Sequence, residues 1–230
     1  MRSHHECGSR RFLIRGPKLS PAARREPVDF QLRLLGLLLL IFVMWSVKVV
    51  ETIGGFSLAQ WGLKPRDPIG LAGLITMPFL HGDFSHLGTN TFTLLVLGIL
   101  LSVYYPRLVW PVICWSAVGC SALVWLFARP SYHIGASGLV YGLLGFLFIS
   151  GILRGDKRAV AAALVTAFMF GSAIWGILPI RVGVSWEGHL FGAIVGGALA
   201  YRYRHIDVPT KDVKETGEDP GDDWLWRDPF

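Results

Sequence analysis

The sequence predicts an all-α membrane protein, a bundle of six membrane-spanning helices. Six apolar segments, at about 32–54, 84–104, 108–128, 136–153, 159–178 and 186–203, each come close to the ~20 residues that cross a bilayer. Only 17% of the 230 residues are charged and the mean hydropathy is +0.47, against roughly 25% charged in soluble domains. The charged shell that a water-soluble body of this size needs is missing. Lipid offers no partner for a backbone N–H or C=O, so apolar runs of this length must be helices. The weak alternation of a membrane β-barrel is absent from them.

Taken in order, residues 1–31 form a basic tail carrying Arg10, Arg11, Arg15, Lys18, Arg24 and Arg25, without a signal-peptide cleavage pattern. In this tail His4, His5, Glu6 and Cys7 offer no rigid metal geometry, because adjacent histidines do not converge on one ion; no metal is expected. The first apolar segment holds Lys48 within it and leads into a long connection, 55–83, with Trp61, Pro65, Asp67 and Pro68. Connections of that length carry function more often than they merely link. Asp83 reads as the cap of the second segment. In the third, Cys114 and Cys120 lie six apart, about 9 Å of helical rise, beyond the roughly 7 Å that a disulfide spans; all three cysteines are expected as thiols. Residues 32–205 thus form the membrane domain. From 206 to 230 the chain carries eight acidic and three basic residues and reads as a disordered tail whose Trp224-Leu225-Trp226 suits a membrane surface.

Charge sets the expected orientation. With the amino terminus inside, 17 of the 22 Lys and Arg fall on the inner side; Lys64, Arg66, Arg129 and Arg181 fall outside, and Lys48 lies within the first segment. That bias places both termini in the cytoplasm. The net charge of +6 is dispersed, with no nucleic-acid motif beside it, so no nucleic-acid partner is expected.

Polar residues inside spans are functional candidates by default. The set is His86 and Asn90 in the second segment, Ser137 opening the fourth, and His189 in the sixth. Counting about 1.5 Å per residue from the nearest inner charge, Asn90 and Ser137 lie roughly 25 Å up and His189 roughly 20 Å up. All three fall in the outer half of a ~30 Å hydrocarbon core. Serine, histidine and an amide at one depth are the parts for acyl transfer: Ser137 as nucleophile, His189 as base, and His86 and Asn90, four apart on one face, as oxyanion donors. Gly135 and Gly138 flank the serine and allow close backbone approach. Tyr141, one turn on, can pack on the imidazole of His189. Glu187 is two residues from His189 and so on another face, which leaves a dyad rather than a triad. His133 and His205 are given no role. Gly192 and Gly196, four apart, form a small-residue groove for a neighbouring helix. No cofactor is expected.

At these residues the chain resembles the rhomboid family of intramembrane serine proteases. His81-Gly-Asp-Phe-Ser-His86-Leu-Gly-Thr-Asn90 looks like the family's second-helix motif, Gly135-Ala-Ser137-Gly-Leu-Val-Tyr141-Gly like its active-site motif, and His189-Leu-Phe-Gly192 with Gly196 like its sixth-helix motif. The match runs from about Trp61 to Gly197. The resemblance implies a six-helix rhomboid-like bundle, a Ser137–His189 dyad, an oxyanion hole using His86 and Asn90, and His81 and Tyr141 in support. It also implies single-span membrane proteins as substrates, cut near the outer face, and a bacterial inner-membrane setting among lipids. Many relatives carry an adjacent Trp-Arg pair in the first loop, whereas Trp61 and Arg66 are separated here. Two rival readings remain: an inactive relative that binds membrane clients, which usually lacks the Ser or the His, and a transporter, which needs polar residues along a whole path.

Overall fold

The computed structural model describes residues 21–180 and 183–208, and side chains from residue 29 onward. The amino-terminal His4, His5, Glu6 and Cys7, the loop residue Arg181 and the acidic tail beyond 208 lie outside the described residues. Helix α1 spans Pro21–Gly54. It starts eleven residues before the expected 32, because the Ala-, Arg- and Glu-rich stretch after Pro21 is made of good helix formers and proline suits a first helical position. Its apolar part is Asp29–Gly54. The connection to the next span is a chain of short turns: 3₁₀ at Ala59–Trp61 and Ile69–Ala72, the four-residue α2 at Gly73–Thr76, and 3₁₀ again at Met77–Phe79. Then follow α3 (Phe84–Tyr104), α4 (Val109–Phe127), α5 (Ser137–Arg154), α6 (Lys157–Phe170) and α7 (Trp186–Arg202).

Among the described residues there are six long helices, and five spans, counting α6 with its 3₁₀ continuation to Ile177, are long and apolar enough to cross a bilayer by length and composition. The sixth, α7, has 17 residues, about 25 Å of helix. Among the described residues there is no strand, only one isolated antiparallel bridge between Leu63 and His133. The molecule is a multi-pass membrane protein. Burial ranks the spans: 56% of the α5 span is buried against 22% for that of α1 and 17% for Lys157–Ile177, so α5 is the axis and α1 and α6 lie at the periphery.

Glycine explains why α7 lies so tightly on α5. A Cβ at Gly192 would sit 3.0 Å from the Gly138 carbonyl carbon, and one at Gly196 would sit 2.8 Å from both the Gly142 carbonyl carbon and the Phe146 nitrogen. Gly145 answers from α5, where a Cβ would meet the Ala193 carbonyl at 2.5 Å. Backbone packs on backbone, the device by which membrane helices gain van der Waals contact without a hydrophobic drive. Below this seam the bundle is closed by Leu94, Leu97, Leu101, Leu143, Phe146 and Leu147, all 0–1% exposed.

The long connection lies along the C-terminal half of α4. Leu63 and Met77 are buried with Cys120, Val124 and Ala128 in a second small core, and Trp125 Nε1 donates to the Asp67 carbonyl at 3.2 Å. Arg66 stands at φ +57 and donates through Nη1 to the Leu126 carbonyl at 3.2 Å; it braces the loop against α4 rather than pairing with a neighbouring Trp. Cys114 and Cys120 are free thiols.

Candidate active site

The amino-terminal ends of α3, α5 and α7 meet at one end of the bundle, and the site residues come from those ends. Asp83 caps α3 as expected, its Oδ1 accepting the His86 N–H at 2.8 Å; that bond holds its carboxyl below the usual range. Ser137 is the first residue of α5. The chain reaches it through Gly135, at φ +110, a conformation only glycine adopts without strain. A Cβ there would also lie 2.7 Å from the His86 ring and 3.8 Å from Asn90 Nδ2, so the approach to Ser137 runs directly over the α3 pair. His81 supports the turn from behind. Its Nε2 accepts the Ala136 N–H at 3.3 Å, and burial with His86 beside it pushes it down to about 4, which keeps it neutral.

His189 lies in the first turns of α7 and is held from two sides. Tyr141 stacks on it, with ring centroids 4.2 Å apart and planes 6° apart. Its Nδ1 is 2.8 Å from the Gly176 carbonyl. A carbonyl only accepts, so Nδ1 carries the proton and Nε2 keeps its lone pair. Tyr141 Oη donates to the Ala173 carbonyl at 2.7 Å. Both carbonyls belong to the 3₁₀ stretch Gly171–Ile177 that ends α6, where an expected continuous helix to 178 would have kept them in its own ladder. Sequence reasoning missed Ala173 and Gly176; the paired Gly171 and Gly176 were the available signal.

Gly176 therefore carries a prediction. A Cβ there would sit 3.1 Å from both His189 Nδ1 and Tyr141 Cζ and closer still to the Tyr141 hydroxyl, whereas one at Gly171 meets nothing within 4 Å. Displacing a ring that acts in catalysis by about 1 Å costs on the order of 10²-fold in rate. With His189 as the base proposed below, Gly176→Ala should lose about that much kcat while Gly171→Ala keeps wild-type kcat, measured on a membrane-reconstituted substrate.

Ser137, His189, His86, Asn90 and Tyr141 line one cavity of about 1410 Å³. Asn90 is 5% exposed, and its Nδ2 has no hydrogen-bond partner. The first N–H groups of α5 likewise lack intrahelical acceptors. Ser137 and His189 share the cavity wall without a direct hydrogen bond among the described residues; such bonds commonly tighten only with substrate in place. Gly138 points elsewhere. A Cβ on it would meet Cys120 Sγ at 2.5 Å, so it serves helix packing rather than the cavity.

Two clasps hold these ends together. His133, given no role from sequence, is 2% exposed. Burial pushes its imidazole below the ordinary value, and the neutral ring donates from Nε2 to the Arg129 carbonyl at 3.1 Å. Its Nδ1 then accepts from Ser185 Oγ at 2.6 Å, while Ser185 Oγ caps α7 by accepting the Gly188 N–H at 3.3 Å. Arg129 adds Nη2 to the Val184 carbonyl at 2.6 Å and Nε to Glu187 Oε1 at 3.4 Å, so Glu187 faces Arg129 and not His189. The entry to α5 is thereby tied to the start of α7. At the second clasp, Lys48 reaches Glu51 Oε2 at 3.0 Å and the Gly82 carbonyl at 2.9 Å, joining α1 to the entry of α3. No pattern could pair His133 with Ser185, 52 residues away; Lys48 and Glu51, three apart in a span, were visible as a pair.

Comparison with known proteins agrees with this architecture. The Rhomboid domain family model matches residues 70–206. An uncharacterized protein of Mycobacterium tuberculosis is 33% identical over 196 residues, covering 80% of this chain and 81% of the relative. The Arabidopsis thaliana RHOMBOID-like protein 4 is 32% identical over 133 residues, 56% of this chain and 33% of the relative. Rhomboid-like protein 11, chloroplastic, of the same plant is 27% identical over 143 residues, 55% and 50% respectively. The chain belongs to the rhomboid family.

Proposed function

We propose that this protein is an intramembrane serine endopeptidase that cuts single-span membrane proteins near the outer face of the bilayer. The observation that carries the reading is Asn90 Nδ2, a buried donor without an acceptor, in the same cavity as Ser137 and a His189 whose Nε2 is the unprotonated nitrogen. An amide left unpaired there costs stability and gains a partner when an oxyanion forms.

In this reading Nε2 of His189 takes the Ser137 Oγ proton as Oγ attacks the scissile carbonyl carbon. The tetrahedral oxyanion accepts hydrogen bonds from Asn90 Nδ2, the His86 ring and the free N–H groups at the start of α5. His189 returns the proton to the departing amine, and water then hydrolyses the acyl-enzyme with His189 again as base. The Gly176 carbonyl steadies the imidazolium at Nδ1. No metal or cofactor enters any step. The basic bias supports a cytoplasmic-membrane protein with both termini inside. The apolar plug of Leu94, Leu97, Leu101, Leu143, Phe146 and Leu147 speaks against a transport path.

One observation favours a second assignment: His133 and Ser185 also line the cavity and already share a 2.6 Å hydrogen bond. Ser185 Oγ, however, is engaged as the α7 cap. A fluorophosphonate probe separates the two. We expect one adduct, on the peptide containing Ser137, absent from Ser137→Ala; an adduct on Ser185 that survives Ser137→Ala would move the nucleophile there, and no adduct on either would refute the protease reading. Asn90→Ala should lower kcat by about 10²–10³ with little change in KM, read from initial rates across substrate concentration.

A further inference from the structure

The opposite end of the bundle holds a second cavity, of about 850 Å³, that the catalytic reading leaves without a role. Four separate elements supply its polar wall: Arg33 from α1, Arg107 from the α3–α4 turn, Arg158 from the first turn of α6, and His205 from the segment after α7. Two carboxylates, Asp29 and Asp207, also line it. Asp207 is already engaged: its Oδ2 accepts the Arg107 N–H at 3.0 Å, and its Oδ1 lies 3.7 Å from Arg107 Nε. The backbone of this segment is pinned as well, since Arg154 donates to the Ile206 carbonyl at 3.0 Å and the Asp207 carbonyl at 2.6 Å. His205 is therefore held at the cavity and does not sit on a free end. Three arginines against two carboxylates leave an excess of positive charge before His205 is counted.

One atom in this wall lacks what it needs. Arg33 Nε is buried and has no acceptor. A guanidinium is always charged, and a buried N–H of a charged group without a partner is costly. The missing partner is an anionic oxygen. The surroundings point to the source of that oxygen: Val103 lines the cavity and is 54% exposed, and Leu32 and Leu35, one and two residues from Arg33, are 59% and 62% exposed, so apolar surface lies open beside the basic wall. Basic pockets between spans on the side rich in Lys and Arg suit phospholipid headgroups.

We infer that this cavity is a binding site for the phosphate of an anionic phospholipid, with Arg33 Nε–H and the Arg158 guanidinium as donors and the acyl chains lying along Leu32, Leu35 and Val103. The lipid bridges α1, the α3–α4 turn, α6 and the segment after α7, and so ties the two most exposed spans to the core at the end remote from Ser137.

The test is independent of proteolysis. Full-length protein in a neutral detergent is mixed with phosphatidylglycerol, with phosphatidylcholine of the same chains, or with inorganic phosphate, and lipid retention is read by native mass spectrometry. Phosphatidylglycerol should be retained in preference to phosphatidylcholine, and its affinity should fall about tenfold or more in Arg33→Gln. Arg158→Gln, at an exposed position that disturbs no core, should weaken it in the same direction. Lys64→Gln, on the outer loop, should bind as wild type. Equal retention of the two lipids, or unchanged retention in both arginine variants, would overturn the site. Inorganic phosphate displacing phosphatidylglycerol at equal concentration would overturn the lipid assignment.

Discussion

Ser137→Ala and His189→Ala are each expected to lower kcat for cleavage of a reconstituted single-span substrate by about 10⁴–10⁶, and the double variant to be no slower than either single. In the proposed mechanism the two side chains perform one proton-coupled attack: without Oγ there is nothing for Nε2 to deprotonate, and without Nε2 the hydroxyl stays protonated and weak. Folding should be unaffected. Ser137 opens a helix that has no side-chain cap bond, and among the described residues His189 is tied to its surroundings by a single ring stack and a single carbonyl contact. The assay is single-turnover cleavage in proteoliposomes, with insertion and thermal stability of each variant matched to wild type. Turnover of Ser137→Ala within tenfold of wild type would remove Ser137 from the mechanism. Losses that multiply in the double variant would show that the two residues do not act in one step.

Gly196→Leu is expected to cost about 10²-fold in cleavage although every proposed catalytic side chain remains. Any Cβ at this position runs into the Gly142 carbonyl and the Phe146 nitrogen, and helix backbone cannot step aside as a flexible side chain can. The α7 helix must move off α5, and His189, seven residues away on the same helix, moves relative to Ser137. Gly197→Leu is the control. Its Cβ meets only Ile149 Cγ1, at 3.7 Å, an ordinary van der Waals contact, and activity should stay near wild type. Both variants are compared at equal insertion and equal Tm. Equal activity in the two would mean that the α5–α7 seam does not position the dyad.

Both results turn on where helix ends lie relative to one another, and that separates what could be read in the chain from what could not. The spans were legible because lipid forces every backbone group into an internal hydrogen bond, so apolar length alone demands a helix. The Asp83 cap was legible because it acts within one turn. Ser137, His189, His86 and Asn90 stood out because polar side chains in apolar spans need a reason to be there. The bounds of α1 and α6 were less so: the first helix runs on through residues that read as tail, and the last turns of α6 tighten to 3₁₀.

What the sequence determined by itself is thus local in kind: six spans, the Asp83 cap, the polar residues set into them, and the Gly192–Gly196 groove as a surface awaiting a partner. The tertiary structure decided what stands opposite each of these. It put the Gly192 groove on Gly138 and Gly142, gave the Ala173 and Gly176 carbonyls to Tyr141 and His189, joined His133 to Ser185, and brought Arg33 and Arg158 to one cavity. The physical reason is periodicity. A helical repeat tells which residues share a face, since side chains three and four apart are neighbours. It carries no record of which distant helix that face will meet, because that contact is chosen by the packing of all six spans together.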